Sequence, residues 1–349
     1  MSQDQPETFS PKTPLISIVM SVYNGEEYLA GAMDSILNQT FTDFEFIIIN
    51  DGSTDATISI LEDYADRDPR IRLIDQENTG LTRALRRGCD AARGAYIARM
   101  DADDVSMPDR FEEQIALLNS DSKLVAVTGD VEHFLNTGRV VHTAKLRGDA
   151  RLIRFYNCFV NYIGGHGQVM FRKDAYHTAG GYDPAFKMAQ DYSLWSRLLL
   201  IGDFGNVPKV IYRFRTGHDS ISSRSKDEQA HHSLRTCLTE YERMTGEALT
   251  EGVAMVMRRF WWMVLPGKAT RRDTFAASQA MHKVANIFFR DNPDLRHEEY
   301  GIYRDIAARW YWRTKEVPPS HLIYRGIFAL NFLGWGTRAV WARFRTKVL

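Results

Sequence analysis

The run Leu15-Ile16-Ser17-Ile18-Val19-Met20-Ser21-Val22 admits few folds, because it favours β structure almost without interruption and closes at Tyr23-Asn24-Gly25. A strand wetted on one face alternates apolar and polar residues; this one reads as a strand covered on both faces, as in a parallel sheet. Residues 26–38 follow with Leu29, Ala32, Met33, Ile36 and Leu37 at helical spacing. Glu26 and Glu27 fall in the expected first turn, where the helix dipole favours acids. The cycle then repeats, with strands expected over 44–49, 71–74 and 95–100 and helices over 57–65 and 81–92. Asp51-Gly52-Ser53-Thr54-Asp55 reads as a turn and helix cap between two of these elements.

Strands alternating with helices at this spacing imply right-handed βαβ crossovers and a mostly parallel α/β sheet with helices on both faces. In such sheets ligands collect outside the C-terminal ends of the strands. The segments to inspect are therefore residues 23–25, 50–55, 78–80 and 101–104. A further helix is expected over 110–118, then a β-rich stretch over 124–141 with a turn at Asn136-Thr137-Gly138. Beyond Lys226 the pattern turns helical, over 226–245, 249–264, 270–290, 296–314 and from 320 onward. The expected organisation is a flexible leader at 1–13, an α/β domain at 14–225 and a helical C-terminal domain at 226–349.

Lys plus Arg and Asp plus Glu number 44 each, so no overall field advertises nucleic acid as a partner. Three scattered cysteines, Cys89, Cys158 and Cys237, suit neither a disulfide framework nor a cysteine zinc site and point to a reducing compartment. No basic segment and apolar run open the chain as a signal peptide, and no stretch of about 18 uninterrupted apolar residues is present to span a bilayer.

Asp101, Asp103 and Asp104, with Asp109 just beyond, crowd the end of an expected buried strand. Carboxylates so placed repel one another unless a cation joins them, and a hard divalent ion such as Mn²⁺ or Mg²⁺ is the natural partner. A solvated acidic turn, with Asp104 or Ser106 capping the next helix, is the competing reading of the same residues. Asn50-Asp51-Gly52-Ser53, on the same sheet edge, suits base or ribose recognition and equally a plain capped turn.

Taken in order, Ile18-Val19-Met20-Ser21-Val22-Tyr23-Asn24, Asn50-Asp51-Gly52-Ser53-Thr54-Asp55, Asn78-Thr79-Gly80 and Ala98-Arg99-Met100-Asp101-Ala102-Asp103-Asp104, then Pro108 and Arg110, form a recognisable series. It resembles the family 2 inverting glycosyltransferases of GT-A fold over roughly residues 14–222. The resemblance implies a Rossmann-like sheet with a nucleotide-sugar half at about 14–110 and an acceptor half at about 111–225. It implies that Tyr23 and Asp51 sit against the nucleobase and Asp101 near the ribose. Asn24, Glu26, Asn78, Gly80, Arg83 and Ala102 would line the same donor. Asp103 would hold Mn²⁺ or Mg²⁺, with His218 as a further ligand and Arg213 near the diphosphate. Relatives often carry a small residue, Arg and Asn after the Asn-Thr-Gly position, whereas this chain reads Thr82-Arg83-Ala84-Leu85-Arg86-Arg87.

Gly180-Gly181-Tyr182-Asp183, then Gln190-Asp191-Tyr192-Ser193-Leu194-Trp195, is similar to the family segment holding the catalytic base. Gln190 replaces the first acid of the usual pair, so the base falls on Asp191, with Tyr192 and Trp195 facing the acceptor. His166, in Gly164-Gly165-His166-Gly167-Gln168, occupies another acceptor-facing position in the family. An inverting transfer needs a base for the proton of the attacking hydroxyl and positive charge for the departing diphosphate.

The implied activity is metal-dependent transfer of one sugar from a nucleotide-diphosphate sugar, a UDP-sugar foremost, to a glycan or polyprenyl-linked acceptor in cell-surface polysaccharide synthesis. Processive relatives carry Gln-x-x-Arg-Trp with membrane helices, whereas Arg309-Trp310 here has Ile306 at the first position. A non-catalytic glycan-binding scaffold of the same fold is the alternative, disfavoured by Asp103 and Asp191 together. A sugar-nucleotide nucleotidyltransferase is disfavoured by Tyr23-Asn24-Gly25-Glu26-Glu27 in place of a Gly-rich, Arg-containing loop, and a dehydrogenase by the lack of Gly-x-Gly-x-x-Gly. Trp261, Trp262, Trp310, Trp312, Trp335 and Trp341 interleave with arginines, and no acid follows Pro319. That composition suits an anionic membrane surface, hence a cytoplasmic protein peripheral on the inner face, and equally a helical cap or homodimer surface.

Overall fold

The computed structural model describes residues 13–146, 149–217, 226–261, 271–298 and 302. Strand β1 (Ile16–Val22) is buried along nearly its whole length and pairs in parallel with β2 (Phe44–Asp51) on one side and β4 (Tyr96–Asp101) on the other. Strand β3 (Ile71–Gln76) extends the parallel set beyond β2. The connecting helices are α1 (Leu29–Leu37), α2 (Thr57–Arg67) and α3 (Leu81–Asp90). Successive side chains of a strand point to opposite faces. Ile16, Ile18 and Met20 accordingly share one core with Leu29, Met33, Ile36 and Leu61, whereas α3 packs on β1 and β2 with Gly88 against Val19 and Ile49 of the other face. Helices cover both faces, as the continuous apolar strands require.

Beyond β4 the sheet becomes mixed. The sheet and its helices are completed by β5 (Val105–Ser106), α4 (Arg110–Ser120), β6 (Leu124–Phe134), β7 (Val140–Ala144), β8 (Met170–Arg172), α6 (Lys173–Thr178), α7 (Gln190–Leu198) and β9 (Asp203–Arg215); α5 (Ala150–Asn157) falls between β7 and β8 in sequence only. Among the described residues the strands run in the order β3-β2-β1-β4-β8-β6-β9-β5, with β7 added to β6. The expected turn at 136–138 joins β6 to β7, and Gly138 takes a positive φ of 81° there. β9 escapes sequence patterning because Pro208 interrupts it: the register against β6 slips past Pro208 and Lys209, as a residue without an N–H demands.

The chain divides into two compact units, residues 1–150 with 163–226, and residues 151–162 with 227–349. In the second unit, residues 151–162 join helices α8 (Lys226–Thr245), α9 (Glu251–Trp261) and α10 (Arg271–Asp291). Phe155, Phe159, Met257, Met281, Val284 and Phe288 form one buried cluster there, which explains why this segment leaves the unit that flanks it in sequence. The leader up to residue 12, most of the helices expected over 296–314 and from 320 onward, and Trp262, Trp310, Trp312, Trp335 and Trp341 lie outside the described residues.

Two sequence expectations change. Helix α1 begins at Leu29, so Glu26 and Glu27 precede its first turn. Glu26 instead accepts the amide of Ala56 at 2.8 Å at the start of α2, where an unsatisfied donor outweighs a dipole effect.

Under the sheet, Glu45 is 2% exposed and accepts from Ser17 Oγ at 2.6 Å, Arg72 at 2.6 Å, and the amide and side chain of Arg93 at 2.8 and 2.9 Å. Burial pushes its pKa up, but these donors outweigh burial and hold it below the ordinary 4.5. A carboxylate whose pKa is depressed on folding contributes stability above its unfolded value and loses it as pH falls through the folded one. Glu45→Gln should therefore lose about 1–3 kcal/mol at neutral pH and flatten the acid limb of the melting temperature against pH; an unchanged limb would exclude Glu45 as its source.

Candidate active site

Loops at the C-terminal ends of β1 and β2 are sewn together before any ligand arrives. Asn24, at φ 50°, donates its amide to Ser53 Oγ at 3.0 Å and accepts the amide of Thr54 at 2.8 Å. The amide of Gly25 meets Thr57 Oγ1 at 2.9 Å, and that of Glu26 meets Asp55 at 3.2 Å. Ser53 and Asp55, read from sequence as a recognition turn or cap, thus brace the neighbouring loop. Tyr23 stands outside the lattice, 52% exposed and able to offer a ring face.

Asp51 is 2% exposed and accepts from Gln76 at 2.6 Å and from the amides of Thr79 and Gly80, both at 2.9 Å. Its carboxylate shapes the loop after β3. Gly52 lies against that loop at φ 76°, where a Cβ would come within 2.7 Å of the backbone nitrogen of Asn78. Asn78 itself is exposed, and Gly80 precedes α3 at φ 87°. Of the arginines on α3, Arg86 donates to the Tyr182 carbonyl at 3.0 Å and Arg87 to Gln76 at 2.7 Å. Arg83 is exposed in the first turn; its backbone N–H donates to the Gly80 carbonyl at 3.1 Å, and its side chain makes no hydrogen bond or ion pair with the described residues.

The acidic segment leaves β4 at the middle of the sheet. Arg99 and Asp101, two positions apart, share a face of β4, and the fully buried guanidinium of Arg99 pairs with Asp101 Oδ1. Arg99 also donates to the carbonyl of Val19 at 3.0 Å and to His166 Nε2 at 3.4 Å. Asp104 is 1% exposed; it accepts from Tyr212 Oη at 2.9 Å and from the amide of Arg215 at 2.7 Å. Arg215 further donates to the carbonyl of Asp103 at 2.8 Å. Asp104 is thereby neither a solvated turn residue nor a helix cap: it ties β9 to the acidic loop, with Ala102 and Asp103 half-buried beside it.

Burial, and then the charges of Asp103 and Asp101, push the Asp104 carboxyl well above the carboxylate range. Burial likewise raises Asp101, against the pull of Arg99 and with the help of Asp103. Among the described residues no three His, Cys, Asp or Glu side chains converge as a metal cluster. The donor set still fits a hard divalent ion: crowded oxygen carboxylates mutually disfavour their charge, and Mg²⁺-like ions take one or two carboxylates plus substrate phosphates. His218, expected as a further ligand, lies outside the described residues.

Across the sheet, Asp191 occupies the first turn of α7 and is half-buried. Ala189 before it takes the left-handed φ of 52°, a conformation rare outside glycine. His166 Nε2 meets Tyr182 Oη at 2.5 Å, and burial followed by the charge of Arg99 pushes the imidazole pKa well below its ordinary value. Tyr192 and Trp195, expected to face the acceptor, have no exposed surface: helical periodicity turns them into the core, where Trp195 packs against Phe171 and Phe204. Arg213 is likewise engaged, ion-paired with Glu132 at 3.3 Å and stacked over Phe134. Arg215, two residues on, is the arginine beside the acidic loop.

The sequence motifs assign no role to Arg99, Tyr182, Tyr212 or Arg215. One signal was present: a lone arginine inside the apolar strand Tyr96-Ile97-Ala98-Arg99-Met100 needs a buried partner.

The glycosyl transferase family 2 model matches residues 17–180. An uncharacterized glycosyltransferase of Haemophilus influenzae is 30% identical over 230 residues, 62% of this chain and 70% of the relative. The chain belongs to glycosyl transferase family 2. A chondroitin synthase of Escherichia coli is 28% identical over 236 residues, 67% of this chain but 33% of that protein, so this glycosyltransferase spans about a third of the synthase. S. aureus TarS 1–349 in complex with UDP-GlcNAc superposes with a TM-score of 0.56 at 15% identity, covering 78% of this chain and 81% of TarS. The mannosyltransferase PcManGT of Pyrobaculum calidifontis in complex with GDP-Man and Mn²⁺ gives 0.53 at 15% identity, over 95% and 88% of the two chains. At that identity the likeness establishes a common GT-A fold.

In this family 2 glycosyltransferase, a Cβ on Gly167 would lie 1.9 Å from Tyr212 Oη and 2.8 Å from Asp101 Oδ2. Gly167→Ala should therefore displace the acidic loop, cutting sugar transfer at least about tenfold with a stability loss on the order of 1–3 kcal/mol. Wild-type turnover in the variant would show that the loop tolerates the displacement.

Proposed function

We propose that this glycosyltransferase transfers a single sugar, with inversion, from a nucleotide-diphosphate sugar to a glycan or polyprenyl-linked acceptor in polysaccharide or glycoconjugate synthesis. The observation that carries the reading is the pairing of a cation-seeking acidic loop at the end of β4 with a separate carboxylate, Asp191, at the start of α7. A UDP-sugar is the favoured donor; TarS, whose complex contains UDP-GlcNAc, supports that choice, and the GDP-Man complex of PcManGT keeps GDP-sugars second.

In the proposed mechanism the exposed ring of Tyr23 stacks on the base, and the rim formed by Asn24, Glu26, Asp51, Asn78 and Gly80 shapes the nucleoside pocket. Arg83 and Arg215 face the diphosphate, Arg215 taking the place that sequence assigned to Arg213. Asp101 and Ala102 border the ribose, and Asp103 is the residue that would hold Mn²⁺ or Mg²⁺, with His218 as a further candidate. When bound, the ion offsets charge developing on the leaving diphosphate. Asp191 takes the proton of the acceptor hydroxyl as that oxygen bonds to the anomeric carbon. The bond from that carbon to the diphosphate breaks on the opposite face, and the nucleotide leaves with the electron pair.

Incubation with UDP-, GDP- and dTDP-sugars in Mn²⁺ should give donor-specific thermal stabilisation or slow hydrolysis; absence of binding to every member of the panel would overturn the reading. Asp191→Asn should lower transfer by about a hundred- to ten-thousandfold while calorimetric donor affinity stays near wild type, and surviving transfer would remove Asp191 as the base.

We also propose peripheral attachment to an anionic inner-face membrane through the C-terminal Trp- and Arg-rich segment, which would bring the enzyme to a lipid-linked acceptor; no helix among the described residues is long and apolar enough to cross a membrane. Anionic liposomes should sediment the full chain and release a variant lacking residues 319–349; vesicles that never recruit the full chain would refute attachment.

A further inference from the structure

Arg99 touches both halves of the reaction centre. Its guanidinium, with no exposed surface, pairs with Asp101 Oδ1 and donates through Nε to His166 Nε2 at 3.4 Å. An arginine offers only donors, so Nε2 of His166 must be the unprotonated nitrogen and Nδ1 the one that carries hydrogen. Tyr182 Oη, 2.5 Å from the same Nε2, then donates to the single lone pair that it shares with Arg99. The glycine-rich segment around His166 is also pressed onto the acidic loop, with Gly167 against Asp101 and Tyr212. Nδ1 of His166 has no partner among the described residues, and the half-buried ring can present that N–H to a ligand.

We propose that Arg99 is a positioning residue for sugar transfer, setting Asp101 on the donor side and the Nδ1–H tautomer of His166 on the acceptor side through one buried guanidinium. His166 then donates Nδ1–H to a hydroxyl oxygen of the acceptor sugar. The inference rests on the glycosyl-transfer reading above and adds a coupling between the two substrates. A lysine at position 99 keeps the charge but replaces a planar fork by a single point, and cannot reach both partners in the same geometry.

The test uses the full chain with whichever sugar nucleotide the wild type turns over, measuring donor KM, acceptor KM and kcat for Arg99→Lys, His166→Gln and the double variant. His166→Gln keeps an acceptor near the place of Nε2 and removes the Nδ1 donor. Arg99→Lys should raise both KM values, whereas His166→Gln should raise acceptor KM alone, each by roughly ten- to a hundredfold, as for loss of a charge-assisted or buried hydrogen bond. The double variant should have an acceptor KM no higher than the worse single variant, because both changes interrupt one path. Multiplied effects, or Arg99→Lys at wild-type values, would overturn the proposal.

Should Arg99→Lys fail to fold by circular dichroism, Tyr182→Phe combined with His166→Gln carries the same test. Tyr182→Phe alone should raise acceptor KM without moving donor KM, and the pair should not exceed His166→Gln; a multiplied effect overturns the coupling. A wild type inert toward every sugar nucleotide would instead refute the functional reading itself, which separates the two failures.

Discussion

A guanidinium without exposed surface dictates the arrangement around β4. Removing such a charge from water is costly unless acceptors surround it. Arg99 finds them in the carbonyls of Val19 and Met100, in Asp101 and in His166, so one residue gathers β1, β4 and the 164–168 segment. Arg110, equally buried, closes the underside by donating to the Arg99 carbonyl at 2.9 Å, and burial lowers its own pKa to about 10. The acidic loop is thus held from below by cations that keep Asp101 in place.

From the other direction β9 reaches the same loop. Tyr212 and Arg215 both bond to Asp104, and Arg215 extends to the Asp103 carbonyl. Most side chains at the sheet edge are consumed in such mutual bracing, including Asn24, Glu26, Asp51, Ser53 and Asp55. The loops are therefore preorganised, and Tyr23, Asn78 and Arg83 remain exposed at the rim. A nucleotide-sugar bound at these loops, as proposed above, would cost little ordering entropy.

The parallel half of the fold was legible because its signal is local. Continuous β-favouring strands, helical spacing and turn residues repeat every few tens of positions, and each element reports its own burial. In the mixed half α4, β6, β7 and the turn at 136–138 were legible too, but β8, β9 and the 151–162 segment were not, because β9 is broken by Pro208, β8 is very short, and residues 151–162 bury their apolar face with helices far along the chain. Glu26 misled for a related reason: an acid before a helix reads as a dipole partner, yet an open amide at Ala56, distant in sequence, claimed it.

For the site, residue types and order along the chain determined the family resemblance, the acidic loop at a strand end and the candidate base at Asp191. Those features depend on chemistry carried by contiguous residues. Only the tertiary structure decided which side chains are free to act. It buried Tyr192 and Trp195, engaged Arg213 with Glu132, and brought Arg215, Tyr212, Arg99 and Tyr182 to the loops they serve. A hydrogen bond is satisfied over about 3 Å, between groups that can be separated by more than a hundred positions in sequence, and no periodicity along the chain records which partner will claim it.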